Sequence, residues 1–190
     1  MKRVFIIHGW DGYPTEGWFP WLKNKLEKNG FIVEIPTMPD AAEPKINKWV
    51  SHLAKVVKDV DIDTYFVGHS IGCQAIMRYI ESLDLKKKVG GAVFVAGWFT
   101  LMNLETDEEK EIAKPWINKS MDFNKIRQRI NKFIVIFSAN DPFVPIENKK
   151  LFEDRLGAKT IVVSGMGHFS GSDGIEELPS AYNAVIEIAK

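Results

Sequence analysis

The chain contains a single cysteine, Cys73, so no internal disulfide can staple it. At 190 residues it is long enough to bury a large core without such help, and the lone thiol fits a reducing compartment, with the cytoplasm as the expected location. Long apolar runs are missing too, and no stretch approaches the roughly 20 residues of a membrane span. At the N-terminus, Lys2 and Arg3 are followed only by Val4-Phe5-Ile6-Ile7 before His8-Gly9, too little for a secretory signal core. There is no charge imbalance: Lys+Arg and Asp+Glu are both 25 and the formal net charge is zero. That excludes the basic footprint of a nucleic-acid or anionic-membrane binder. No H-E-x-x-H, cysteine pair, G-x-G-x-x-G or phosphate-binding lysine loop occurs, so neither a metal nor a cofactor is expected. With no linker, repeat or low-complexity tract, one domain over residues 1–190 is expected.

What is present centres on Tyr65-Phe66-Val67-Gly68-His69-Ser70-Ile71-Gly72. An apolar run ends in G-x-S-x-G, and a helical pattern follows at once through Ile76, Tyr79, Ile80 and Leu83. Average residue usage would give the bare pentapeptide to about one chain in twenty of this length. The strand before it and the helix after it are what a nucleophile elbow demands.

Around this centre the chain alternates strand and helix patterns. Strands are expected at Lys2–Ile7, Phe31–Ile35, Thr64–Gly68, Gly91–Ala96, Phe133–Phe137 and Thr160–Val163. The clearest amphipathic stripe is Ile46, Trp49, Val50, Leu53, Val56, Val57 and Val60. Gly97–Asn131 lacks any strand pattern and reads as a small helical insertion, with Thr106-Asp107-Glu108-Glu109 as a capping box. Pro145 suits the first turn of the following helix, Gly157 its end, and Pro179 opens the last. The order implies an α/β fold in three layers, about six parallel strands with helices on both faces.

In such sheets chemistry gathers at the carboxyl ends of the strands. Ser70, Asp141 and His168 all fall there, in the chain order Ser, Asp, His of an α/β-hydrolase triad. A serine hydroxyl needs a base at neutral pH; His168 would take its proton, and Asp141 would hold the imidazole, with Asp173 the reserve acid. The oxyanion hole would use the amide of Ile71 and one from the first loop, Trp10 ahead of Gly9. Of the other histidines, His69 should point away from the hydroxyl, His8 should shape the first loop, and His52 sits in the amphipathic helix. Cys73 reads as a small core residue. Trp98, Phe143 and Phe169 are expected to line an acyl pocket, with Trp116 flanking the same edge. A turn reading of Asp141-Pro142 and a core reading of the aromatic rings compete with these roles.

Beyond the general pattern, the chain resembles the compact serine hydrolases grouped with retinoblastoma-binding protein 9. The likeness runs through His8-Gly9, Trp18 with Trp21-Leu22, Gly30, Met38-Pro39, Trp49 with Leu53, and Gly68-His69-Ser70. It continues through Asp141-Pro142 with Val144-Pro145, Gly157-Ala158, Gly167-His168-Phe169 and Leu178-Pro179. The resemblance implies a reduced α/β-hydrolase fold with its triad on Ser70, Asp141 and His168. No L-x-C-x-E tract surrounds Cys73, so retinoblastoma-protein binding is not expected. The expected activity is hydrolysis of small acyl esters through an acyl-enzyme. A scaffold protein on the same fold, and thioester or amide cleavage by the same triad, are the alternatives.

Overall fold

A computed structural model describes residues 1–190. Six strands form one wholly parallel sheet: β1 (Arg3–Ile7), β2 (Ile32–Glu34), β3 (Thr64–His69), β4 (Gly91–Val95), β5 (Phe133–Ser138) and β6 (Lys159–Val163), in the order β2-β1-β3-β4-β5-β6. Strands β3, β4 and β5 are buried at every residue. Covered on both faces, they read in sequence as unbroken apolar runs rather than alternations. The edge strand β2 alternates instead, with only Val33 of its three residues buried.

The connecting helices are α1 (Phe19–Glu27), α2 (Ile46–Val57), α3 (Ile71–Ser82), α4 (Asp107–Asn118), α5 (Phe123–Arg129), α6 (Asn148–Leu156) and α7 (Pro179–Ile188). Helices α1 and α7 pack together on one face, while α2, α3, α5 and α6 pack in series on the other. Helix α2 shows why its stripe was readable: Trp49, Leu53 and Val57 recur every four residues and are fully buried. Burying the leucine and the valine is worth roughly 1.5–3 kcal/mol each. Helix α3 is buried all round from Ile71 to Ile80, enclosed by its neighbours and the sheet.

Three expectations are corrected. Helix α6 begins at Asn148, not at Pro145. The Asn148 side chain is drawn inward, where Oδ1 accepts from the amides of Phe99 and Thr100 and Nδ2 donates to the carbonyls of Thr100 and Pro145, so residues 145–147 form a turn. The stretch 97–131 is less of an insertion than its sequence suggests. Its second half, α5, packs against α3 and α6 as part of the helical layer. Its first half carries the capping box, in which Thr106 Oγ1 accepts from Glu109 N and Glu109 Oε2 from Thr106 N. Trp116 lies away from the strand ends: its ring meets Trp49 edge-on and its N–H donates to the Pro44 carbonyl, against the start of α2.

Candidate active site

The strand order reverses between β1 and β3, and the crevice outside a parallel sheet at such a point is where ligands collect. A cleft of about 280 Å³ opens there, bounded by the loop after β1 (Gly9, Trp10, Asp11, Glu16), the turn from β3 into α3, Trp98 after β4, Phe143 after β5, and His168 after β6.

The turn is as tight as its glycines imply. A β-carbon on Gly72 would stand 2.4 Å from the Ile7 carbonyl oxygen, and one on Gly68 would stand 2.8 Å from the Cys73 amide nitrogen. Between them Ser70 has φ 50° and ψ −119°, a region that costs a residue with a side chain about 1–3 kcal/mol. The Ser70 amide bonds to the Val95 carbonyl at 2.9 Å, extending the β3–β4 pairing to the serine itself. Ile71 is the first residue of α3, where helical amides have no partner of their own within the helix.

Asp141 accepts the amides of Phe143 and Val144 on Oδ1, so the turn signature at Asp141-Pro142 is real. The same carboxylate also meets His168: Nδ1 lies 2.9 Å from Oδ2 and 3.1 Å from Oδ1. Holding the Nδ1 proton on the carboxylate leaves Nε2 as the basic nitrogen of the neutral ring. The reserve acid, Asp173, does something else: its Oδ2 accepts from the amides of His168 and Ser170 and from the Ser170 hydroxyl, capping a short 3₁₀ turn. The loops after β5 and β6 are tied by Asn140 Oδ1, which accepts from Gly165 N, and by Ser138 Oγ, which accepts from Met166 N.

Ser70 and His168 line the same cleft, but the hydroxyl is bonded to Trp98 rather than to the imidazole: Trp98 Nε1–H donates to Ser70 Oγ at 3.3 Å. Of the aromatic residues expected at the pocket, Trp98 and Phe143 line it, and Phe143 meets the His168 ring edge-on at 5.4 Å. Phe169 does not. Its backbone turns at φ 59°, its side chain is wholly buried in the core, and its carbonyl accepts from Trp18 Nε1. Trp10 and Ile71 line the cleft, as does Gly9.

His8 is fully buried with both nitrogens used, Nδ1 toward the Gly9 carbonyl and Nε2 accepting from Met38 N. Burial pushes its pKa down, so the neutral ring braces the first loop. His69 lies alongside the site, between Trp18, Phe19 and His168, and its Nε2 bonds the His168 carbonyl at 2.7 Å. Cys73 is buried and its thiol is pushed far above the usual range by desolvation, which leaves it inert.

Sequence reasoning passed over Glu16, Leu101, Leu104 and Glu109, all of which line the cleft. Glu109 was legible only as a capping residue. Its carboxylate is held below the ordinary range, first by the Thr106 backbone hydrogen bond. With Asp11 and Glu16 it gives the cleft three carboxylates, and no lysine or arginine lines it.

The family model described as "Serine hydrolase" matches residues 4–187. The YdeN protein of Bacillus subtilis (strain 168) is 34% identical over 185 residues, covering 97% of this chain and 94% of the relative. The serine hydrolase RBBP9 of Rattus norvegicus is 27% identical over 174 residues, covering 90% of this chain and 89% of the relative. Among solved structures, the ydeN gene product of B. subtilis superposes with a TM-score of 0.90 at 31% identity, covering 99% and 98% of the two chains. Est1E of Butyrivibrio proteoclasticus, in its complex with ferulic acid, superposes with a TM-score of 0.76 at 16% identity, covering 100% of this chain and 90% of that one; that likeness is one of fold.

Proposed function

The chain belongs to the serine hydrolase family, and from that premise we propose that it cleaves small acyl esters through an acyl-enzyme, with Ser70 as nucleophile, His168 as general base and Asp141 as the acid that orients it. The observation that carries this reading is the Asp141–His168 pair, 2.9 Å apart and opening on the same cleft as a serine held in a strained turn.

In the proposed reaction Ser70 Oγ attacks the ester carbonyl carbon while its proton passes to His168 Nε2. The carbonyl oxygen gains the negative charge and is met by the amide of Ile71 and one from the first loop, that of Trp10 or Gly9. Collapse expels the alcohol, which takes the proton from His168. Water then repeats the sequence on the acyl-serine, releasing the acid and restoring the hydroxyl. Asp141 stays ionised throughout and stabilises the imidazolium that forms at each attack.

A cleft of about 280 Å³ is small for a ligand site, which favours short acyl groups. The test is a panel of p-nitrophenyl esters, thioesters and aminoacyl amides run on wild type and Ser70→Ala, alongside mass analysis after fluorophosphonate treatment. Ester turnover lost in the variant, with the adduct on Ser70, is the expected result. Turnover of thioesters or amides alone would move the substrate class while keeping the nucleophile. Adduct on another residue would overturn the assignment.

A further inference from the structure

Three buried side-chain atoms in the whole molecule have no protein hydrogen-bond partner: His69 Nδ1, Gln74 Oε1 and Arg78 Nε. Two of the three belong to residues that bracket Ser70, one position before it and four after. An unmet buried acceptor lowers stability, so residues carrying one at these positions call for an explanation.

Each of the two uses its other polar atom to hold the main chain of a residue in the cleft. His69 Nε2–H donates to the His168 carbonyl at 2.7 Å. Gln74 Nε2–H donates to the Trp98 carbonyl at 2.7 Å. Those bonds fix the assignment of the remaining atoms. A carbonyl can only accept, so His69 must carry its proton on Nε2 and leave Nδ1 bare, and Gln74 must turn its amide nitrogen to Trp98 and leave Oε1 bare. The main chain of Gly9 lies against this side of the ring, and a β-carbon there would stand 3.0 Å from His69 Nδ1. Burial drives the His69 pKa down to about 3, so the ring stays neutral beside His168.

The segments being held need holding. His168 sits in a loop where Gly165, Gly167 and Phe169 all have positive φ, a path with no ladder of its own. Trp98 follows the end of β4 and brings its indole to the Ser70 hydroxyl. His69 and Gln74, by contrast, stand on β3 and α3, the rigid elements that carry Ser70. We propose that His69 and Gln74 are positioning residues that set His168 and Trp98 against the serine, and that their unmet acceptors are the consequence of that task. The inference rests on the reading of Ser70 and His168 as nucleophile and base.

The test compares wild type with His69→Leu, His69→Gln and Gln74→Met, measuring kcat and KM on p-nitrophenyl acetate, the rate of fluorophosphonate labelling, and Tm. Leucine and methionine fill similar volumes with no polar atom, whereas glutamine at 69 can again present an N–H toward the His168 carbonyl. Displacing a reacting group by about 1 Å can cost about a hundredfold. The expected result is a fall in kcat of about ten- to a hundredfold for His69→Leu, and a smaller fall for Gln74→Met. KM should hold and Tm should change little, since the unmet side-chain acceptor goes but the His168 or Trp98 carbonyl loses its donor. His69→Gln should recover most of the loss. Unchanged kcat in His69→Leu and Gln74→Met, or a loss that tracks a falling Tm and is not rescued by His69→Gln, overturns the positioning role. Wild-type protein that takes no label on Ser70 overturns the reading of the site itself, and this inference with it.

Discussion

The Trp98 indole donates to the Ser70 hydroxyl across 3.3 Å, from a ring that is itself almost wholly buried. An oxygen that accepts one hydrogen bond can still donate its own proton, so this contact leaves Ser70 a proton to give to the proposed base, His168. In the proposed reaction that proton leaves as Oγ bonds to the acyl carbon, and the fixed N–H holds Oγ in place for the attack. Trp98 is thus at once a wall of the cleft, a member of the core and a donor to the Ser70 hydroxyl.

Replacing Trp98 by phenylalanine keeps most of the ring and removes the N–H. A single neutral hydrogen bond is worth about 1 kcal/mol, which is about a fivefold change in rate. Trp98→Phe should therefore lower kcat/KM on p-nitrophenyl acetate by about that factor while the protein stays folded by circular dichroism. An unchanged kcat/KM would show that the contact contributes nothing to the reaction.

Removing the proposed triad members should give a graded loss. In a well-studied serine protease, loss of the serine or histidine costs about 10⁶ in turnover and loss of the acid about 10⁴. Ser70→Ala and His168→Ala should fall to background. Asp141→Asn should retain about a hundredfold more activity than either, and Asp173→Asn, which touches the His168 amide rather than its ring, should retain far more than Asp141→Asn. If Asp173→Asn proved the more damaging of the two, Asp141 would not be the acid.

How much of this was legible from residues alone differs by element. The central strands announced themselves because they are buried on both faces and so are apolar through their middles. The end of β3 was legible because Gly68 and Gly72 leave no space for a β-carbon. The start of α6 was not, because the helix signal of Pro145 is overruled by the hydrogen bonds of Asn148 to the loop after β4, which is remote in sequence. Phe169 looked like a pocket residue because it adjoins His168. Only its positive φ, invisible in sequence for a residue other than glycine, turns it into the core. The tethers from His69 and Gln74 escaped for the same reason: each joins segments more than 20 residues apart.

Acid should destabilise the fold through His69. Its folded pKa is about 3 because of burial, against about 6.5 when unfolded. Between those values the unfolded chain binds a proton that the folded chain does not, so stability is fully present above about pH 6.5 and is lost as pH falls toward 3, with a slope near 1.4 kcal/mol per pH unit. His8, also pushed down by burial, adds in the same direction. Urea midpoints measured from pH 7 to pH 4 should fall, and fall less steeply in His69→Leu. Parallel slopes in the two proteins would mean that His69 titrates normally in the folded state.

Chain length should be limited by the same wall that holds Ser70. With about 280 Å³ available, acetate or butyrate esters of p-nitrophenol should outperform the octanoate. An open apolar channel would instead gain about 0.8 kcal/mol for each buried methylene. Trp98→Ala should shift the optimum to longer chains, and because the ring is also core it should lower stability by about 3–5 kcal/mol. A wild-type optimum at eight carbons or more would rule out the small cleft.

Charge should matter as much as length. Asp11, Glu16 and Glu109 line the cleft and no lysine or arginine lines it with them, so an acyl group ending in a carboxylate meets like charge on its walls. At about 8 Å and an effective dielectric constant of about 20, one such pair costs about 2 kcal/mol, and added salt reduces it. Phenyl hemisuccinate, which has the same four-carbon chain as phenyl butyrate, should therefore be turned over at least about tenfold less efficiently at low salt, once the uncatalysed rates are subtracted. Asp11→Asn and Glu16→Gln should narrow the gap; Asp11 has φ 55°, a conformation that asparagine tolerates, so the first change should not disturb the loop. Equal efficiency on the two esters at low salt would show that the acyl group does not approach these carboxylates, and that it lies instead toward Trp98 and Phe143.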